Sequence, residues 1–110
     1  EADAVSFLKG RKQLFNRVLA SDMLCYFGDL KAFMAAAAHA LRRGGRLIFT
    51  VEPGEAPYEL TTYGRYTHSE AHVERRLDDA KLKLESRELF VMRREDQRDI
   101  QGAIYVAKKV

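Results

Sequence analysis

The chain has a single cysteine, Cys25. One thiol makes no internal disulfide, so this is no disulfide scaffold, and a reducing, cytoplasmic setting is expected. Cys25 also has no neighbouring histidine or strongly basic residue to turn it into a catalytic thiolate. No run of about eighteen apolar residues occurs, which excludes a helical membrane span within the sequence, and no signal-peptide pattern is present. A glycine-rich GxGxG fingerprint is missing, which disfavours a dinucleotide-binding half-Rossmann domain. His68 and His72 stand four apart, but no cysteine or acid completes a zinc spacing around them. There is no internal repeat, and the Ala35 to Ala38 run is simply good helix former. The sequence opens on Glu1-Ala2-Asp3 without an initiator methionine, which reads as mid-domain.

What is present fits one globular domain or part of one. The 110 residues are 46% hydrophobic and 32% charged, and a chain of this size buries roughly 65% of its unfolded surface, enough for one modest core. The charge balance is 19 − 16 = +3. The basic pairs Arg42-Arg43, Arg75-Arg76, Arg93-Arg94 and Lys108-Lys109 are dispersed among acids. They read as solvated ends of elements rather than as a nucleic-acid footprint.

Arg17 to Val51 organises the chain. Val18, Leu19 and Ala20 form a compact apolar run, as expected of a strand buried on both faces. Gly28-Asp29 breaks the chain, and Asp29 is placed to cap a helix with its carboxylate. Leu30, Phe33, Met34, Ala37 and Leu41 then recur at spacings of three and four, one apolar stripe on one helix face. Arg42 and Arg43 are read as the last helical turn, with Gly44 as the stop beyond it. Leu47, Ile48, Phe49 and Val51 make a second strand. Two apolar strands joined by such a helix form a βαβ crossover, hence a parallel pair.

Upstream, a brief helical turn is expected over residues 4–8. Downstream, the segment from Glu52 to His68 carries Pro53, Gly54, Pro57 and Gly64 as breakers and crowds Tyr58, Tyr63 and Tyr66 together. It is expected to be a long loop at the carboxyl end of a parallel strand, where open α/β sheets place ligands. Thr67 and Glu70 have capping-box spacing and open a second helix to about Ala80, with Val73 and Leu77 inward. Leu82 to Met92 and Ile100 to Ala107 read as two antiparallel strands joined by a charged turn over Arg93 to Asp99, too long for a tight hairpin.

In order and spacing, four stretches resemble the C-terminal half of a class I S-adenosylmethionine-dependent methyltransferase of the small-molecule type related to ubiquinone-biosynthesis enzymes and to bacterial predicted methyltransferases that carry tetratricopeptide repeats. They are Glu1 to Ala4; Phe15 to Tyr26; Ala40 to Thr50, with its Leu-Arg-Arg-Gly-Gly turn; and Gly64 to Val106, beginning Gly-Arg-Tyr-Thr-His-Ser. The resemblance implies an α/β fold: a partial Rossmann-like sheet with strands four, five, seven and six in that order, the last strand antiparallel, and two main helices. It implies that residues 1–110 are a single partial domain, without the glycine-rich cofactor loop and the ribose-binding acid of the other half. Two positions depart from the family's pattern. Arg17 stands where a buried apolar residue is usual, so its face of the sheet is expected to be wet, because an unpaired buried charge costs several kcal/mol. Lys81 replaces the glycine expected after the last helix.

The implied function is methyl transfer from S-adenosylmethionine to a small-molecule acceptor, as part of a larger enzyme. Asp3 and Ala4 would meet the adenine; Asp3 read without the resemblance is a solvated terminal acid. Ser21, Asp22 and Met23 follow the first strand at the crevice edge and would line the methionine part of the cofactor, although Asp22 can equally cap the next turn. Tyr26 would wall the pocket or pack in the core. Tyr63 and Arg65 would belong to a substrate lid with Tyr58 and Tyr66, Arg65 pairing with an anionic group. His68, beside Tyr66, is the candidate base, or else a polar residue at a helix mouth. His39 and His72 occupy ordinary surface positions and are assigned nothing. No metal is implied. The expected partners are the small-molecule substrate and either a second copy or an N-terminal half covering the edge of the first strand, with no membrane or nucleic acid. The alternative is a non-catalytic methyltransferase-like module acting by association through that edge.

Overall fold

The structure is a computed structural model that describes residues 15–21, 24–62, 64–95 and 97–110. The expectations for residues 4–8, Asp3, Ala4, Asp22, Met23 and Tyr63 therefore lie outside the described residues. Strands β1 (Phe15–Ala20), β2 (Leu41–Val51), β5 (Leu82–Glu95) and β6 (Arg98–Lys109) form one sheet in the order β1-β2-β6-β5. β1 and β2 run parallel across α1 (Lys31–Ala40), and β6 is antiparallel to both of its neighbours. The second helix is α2 (Glu70–Asp79). Among the described residues no helix is long and apolar enough to cross a membrane.

One sheet face carries the core. Val18, Ala20, Leu47, Phe49, Val51, Ala103, Tyr105 and Ala107 are all buried, together with Val73 and Leu77 from α2. The α1 stripe of Leu30, Phe33, Met34, Ala37 and Leu41 is also fully buried. Phe49 and Tyr105 are cross-strand partners with rings stacked at 5.0 Å. The Tyr105 hydroxyl accepts from Arg87 Nε at 3.0 Å, so the buried phenol is satisfied.

Several local expectations are corrected. β1 is buried on one face only: Leu19 is 71% exposed and Arg17 is exposed beside it. The wet Arg17 face is thus as expected. α1 ends at Ala40, so Arg42 and Arg43 are not its last turn. Leu41 is already extended and pairs with Phe15, and its carbonyl accepts from Lys109 Nζ at 2.8 Å. Arg46 pairs with Arg17, so residues 42–45 bulge out of the ladder. Gly44 does adopt positive φ (80°), but to turn this bulge rather than to stop a helix.

The Glu52 to His68 segment contains a short antiparallel ribbon, β3 (Tyr58–Leu60) with β4 (Tyr66–His68). Thr67 lies in β4, and the cap of α2 is Ser69, whose Oγ accepts from His72 N–H at 3.1 Å. The last two strands are longer than their apolar runs, leaving only positions 96–97 between them. Gln97, at φ 61°, makes the turn a tight one.

Lys81 follows the cap residue of α2 with φ 61°, the conformation a glycine adopts freely. Lys81→Gly is expected to raise stability by roughly 0.5–1 kcal/mol. Urea midpoints of the two chains measure it, and an unchanged or lower midpoint would rule that strain out.

Candidate functional site

The ligand crevice of an open α/β sheet lies beyond the carboxyl ends of its parallel strands. Here those ends are Ala20 and Val51, and a 3-10 turn over Leu24–Tyr26, the Phe27 to Leu30 bend, the β3–β4 ribbon and the first turn of α2 meet beside them. The ribbon is fixed to the end of β2: His68 N–H donates to Glu52 O at 2.9 Å, and Gly54 N–H donates to His68 O at 3.3 Å. A hollow of about 340 Å³, lined by Glu52, Pro53, Arg98, Asp99, Ile100 and Gln101, opens at the same end of β2.

Three side chains tie the Phe27 to Leu30 bend to the ribbon and α2. His68 Nε2 donates to Phe27 O (2.8 Å) and Gly28 O (3.0 Å). His72 Nε2 accepts the Leu30 N–H at 3.2 Å. Asp29 takes the Lys31 N–H at 2.9 Å and a two-pronged contact from Arg76, Nε at 2.8 Å and Nη2 at 3.0 Å. The two imidazoles stack at 6.0 Å, and Tyr58 stands edge-on to His72 and Tyr66. Gly28 is closely covered here: a Cβ would come within 3.1–3.3 Å of the Tyr58 and Tyr66 rings, so those rings would have to shift by a few tenths of an ångström.

The electrostatics follow from this packing. Burial is the main cause holding both imidazoles below their ordinary value of 6.5. For His68 the two carbonyls oppose that shift, and for His72 the Asp29 carboxylate does. The Arg76 guanidinium holds the Asp29 carboxyl below its ordinary 3.8. The bonding fixes the tautomers: His68 carries its proton on Nε2, and His72 keeps Nε2 free to accept. His68 Nδ1 is buried and has no hydrogen-bond partner.

The structure brings His68 and Tyr66 together, with rings 6.5 Å apart, but His68 is 0% exposed. Ser21 is exposed at the end of β1, and Tyr26 is 54% exposed on the 3-10 turn. Arg65 is half-buried below the ribbon tip, where its carbonyl accepts from Thr61 N–H at 2.9 Å and Thr61 Oγ1 at 2.8 Å. His72, which the sequence reading assigns to the surface, is buried and holds Leu30. Its place next to Val73 on the inward stripe of α2 was the available signal. Nothing local in the sequence pairs Asp29 with Arg76. Among the described residues no group of three or more His, Cys, Asp or Glu is arranged to hold a metal ion.

No protein-family model matches the chain, and no curated protein matches it. Solved structures do. A SAM-dependent methyltransferase from Methanosarcina mazei superposes with a TM-score of 0.70 at 13% identity, over 91% of this chain and 61% of the other. The 1,6-didemethyltoxoflavin-N1-methyltransferase of Burkholderia thailandensis, solved with 1,6-didemethyltoxoflavin and S-adenosylhomocysteine, gives 0.72 at 20% identity, over 96% of this chain and 48% of the other. The cyclase SpnF gives 0.72 at 15% identity, over 90% and 51%. The chain thus spans about half to three fifths of the length of these structures, and it has the α/β fold that they share.

The buried imidazoles make stability depend on pH. The folded chain favours neutral rings, so as pH falls through 6.5 the unfolded chain takes up protons first, and stability declines. The Asp29 contribution is lost only below its ordinary 3.8. Urea midpoints are expected to be flat above about pH 7 and to fall between about pH 6.5 and 5. His72→Leu strips the buried Leu30 N–H of its acceptor, which should cost about 1–3 kcal/mol at neutral pH and shrink that decline. A midpoint that ignores pH in this window would contradict the assignment.

Proposed function

We propose that the chain is the C-terminal half of a class I methyltransferase fold and works, within a complete enzyme, in methyl transfer from S-adenosylmethionine to a small-molecule acceptor. The observation that carries this reading is the strand order β1-β2-β6-β5 with β6 antiparallel, in a fold shared with methyltransferases over 91% of the chain. S-adenosylmethionine, held by the residues named below, would supply an electrophilic methyl group for the acceptor's lone pair. Alignment and desolvation supply most of the acceleration, so positioning residues matter more than acids and bases.

On this reading Ser21, Asp22 and Met23 line the methionine part of the cofactor, and Asp3 and Ala4 meet its adenine. Tyr26, Tyr63 and Arg65 face the acceptor. His68 as a base would use Nδ1, the nitrogen not engaged with Phe27 and Gly28, and its lowered pKa keeps that nitrogen unprotonated at neutral pH. Reaching an acceptor from a fully buried ring requires the ribbon to open. In the closed geometry His68 is a positioning residue, holding the Phe27 to Leu30 bend while Tyr66 packs beside it. We place the enzyme in the cytoplasm because of its lone cysteine, and we expect a second copy or the remaining half of the fold to complete the sheet at β1.

A second reading is a non-catalytic module that acts by association. It is favoured by Leu19, which stands 71% exposed on a strand whose only partner among the described residues is β2. The fold alone does not choose between them, since one fold hosts several chemistries. Calorimetric titration of the chain with S-adenosylhomocysteine is the test. Saturable binding at micromolar ligand would mean that a usable pocket forms despite the absent glycine-rich loop, and silence at millimolar ligand would mean that the chain alone is a structural remnant or fragment that acts through its exposed edge.

A further inference from the structure

A hollow of about 450 Å³ lies between the β3–β4 ribbon, the first turns of α2 and the Phe27 to Leu30 bend. That is room for a small organic molecule. The strand-end residues Ala20, Ser21 and Val51 do not line it, and it shares no residue with the hollow at Glu52 and Pro53. Its walls are of two kinds. On the ribbon side Pro57 and Tyr58 offer apolar surface, and Tyr58 stays 44% exposed although its ring meets those of His72 and Tyr66.

On the α2 side the groups are hydrogen-bond donors. His72 is only 6% exposed, and its Nε2 is spent on the Leu30 N–H, so the ring proton sits on Nδ1. No described residue accepts that proton, and unlike His68 Nδ1 it is not closed off from solvent. Its outlet is the hollow that His72 lines. The Ser69 hydroxyl accepts from the His72 backbone N–H and still has its own proton to give. The Ala71 N–H, in the first turn of α2, is among the amides that a helix leaves without an internal acceptor.

The charges of the lining select the occupant. Asp29 takes the Arg76 fork and the Lys31 N–H, and Arg76 also reaches Asp79 at 2.9 Å, so these charges satisfy one another. Arg75 is exposed and has no ion-pair partner among the described residues. One unmatched guanidinium beside neutral donors suits one negative charge on a planar fork, because a guanidinium holds a carboxylate through two parallel bonds. A doubly charged phosphate would bring a second negative charge near Asp29 with no cation left to balance it. A neutral molecule would leave Arg75 unmatched. We propose that this hollow binds a small aromatic monocarboxylic acid, its carboxylate on Arg75 and the His72 Nδ1–H and its ring against Pro57 and Tyr58. The site is additional to the methyl-transfer reading and does not rest on it. Its occupant touches the ribbon and α2 at once, and so holds the ribbon that frames the crevice.

The probe is benzoate, titrated into the 110-residue chain at neutral pH and fixed ionic strength, and followed by amide shifts and by the His72 Nδ1–H resonance. Benzyl alcohol, acetate and inorganic phosphate are the controls: the first lacks the charge, the second the ring, and the third carries more charge. The expected result is saturable benzoate binding with a Kd of about a millimolar. Shifts should centre on Ser69, Ala71 and His72, and the Nδ1–H signal should move downfield. Each control should bind at least about fivefold more weakly. Arg75→Gln should weaken benzoate about tenfold, and Arg75→Lys should recover part of the loss. Because Arg75 is exposed and unmatched, the urea midpoints of both variants should equal that of the parent chain, so lost binding is not lost folding.

Benzoate no tighter than benzyl alcohol, phosphate as tight as benzoate, or an Arg75→Gln chain that binds as before would overturn the proposal. So would shifts centred on Ser21 and Val51, or no saturation at tens of millimolar. Displacement of benzoate by S-adenosylhomocysteine would also overturn it, by making the hollow part of the cofactor's ground. The two titrations separate the readings: a failed benzoate experiment with S-adenosylhomocysteine binding intact removes only this site, whereas silence toward the cofactor with benzoate binding intact removes only the catalytic reading.

Discussion

The bend from Phe27 to Leu30 connects the parallel strand β1 to its crossover helix, and it exposes backbone groups that the sheet ladder cannot reach. The Phe27 and Gly28 carbonyls and the Leu30 N–H all point toward β4 and α2, and each finds a ring nitrogen there: His68 donates to the two carbonyls, and His72 accepts the amide. A buried polar backbone group without a partner costs about as much as a lost hydrogen bond. The two imidazoles, in opposite protonation roles, therefore decide whether this bend can be buried at all. Asp29 adds an outer clasp to Arg76 at the rim, where solvent weakens its contribution. These contacts hold the start of α1 against the ribbon, which the His68 and Gly54 backbone bonds fix to the end of β2.

Some of this was legible in the sequence. The α1 stripe from Leu30 to Ala37 and the apolar β2 run are periodic patterns that tertiary structure had no reason to override, and they stand, as does the antiparallel last strand. What was not legible depended on partners distant in sequence. Leu41 has good helical spacing, yet Phe15 recruits it into the ladder, and the helix stops one turn before the glycines. β3 and β4 are three residues each and carry no alternation long enough to see; they exist because His68 bonds to Glu52 and packs under the bend. His72 resembled a surface histidine because its acceptor role involves an amide 42 residues away.

The site was legible only in outline. Ser21, at the end of β1, and Tyr66, on the ribbon, follow from knowing which strand ends face the crevice. Tyr58, which closes over Gly28, could not be distinguished from any other loop tyrosine. His68 stands beside Tyr66 in the sequence, but its bonds to the Phe27 and Gly28 carbonyls are ones that no spacing rule contains.

The ribbon also divides the site into a fixed part and a variable one. Tyr58, Leu60, Tyr66 and His68 lie on one face of it, because cross-strand partners share a side and alternate residues return to it. On that face burial differs by strand: in β4 His68 is fully enclosed and Tyr66 half-buried, whereas their β3 partners Tyr58 and Leu60 are 44% and 57% exposed. β4 is pinned by the same bonds that bury the bend, so a change at His68 disturbs the fold. Leu60 is the most exposed of the four, so it can change with little cost in stability. The same fold is found in methyltransferases and in a cyclase, so the fold alone leaves the chemistry to the exposed loops and their side chains.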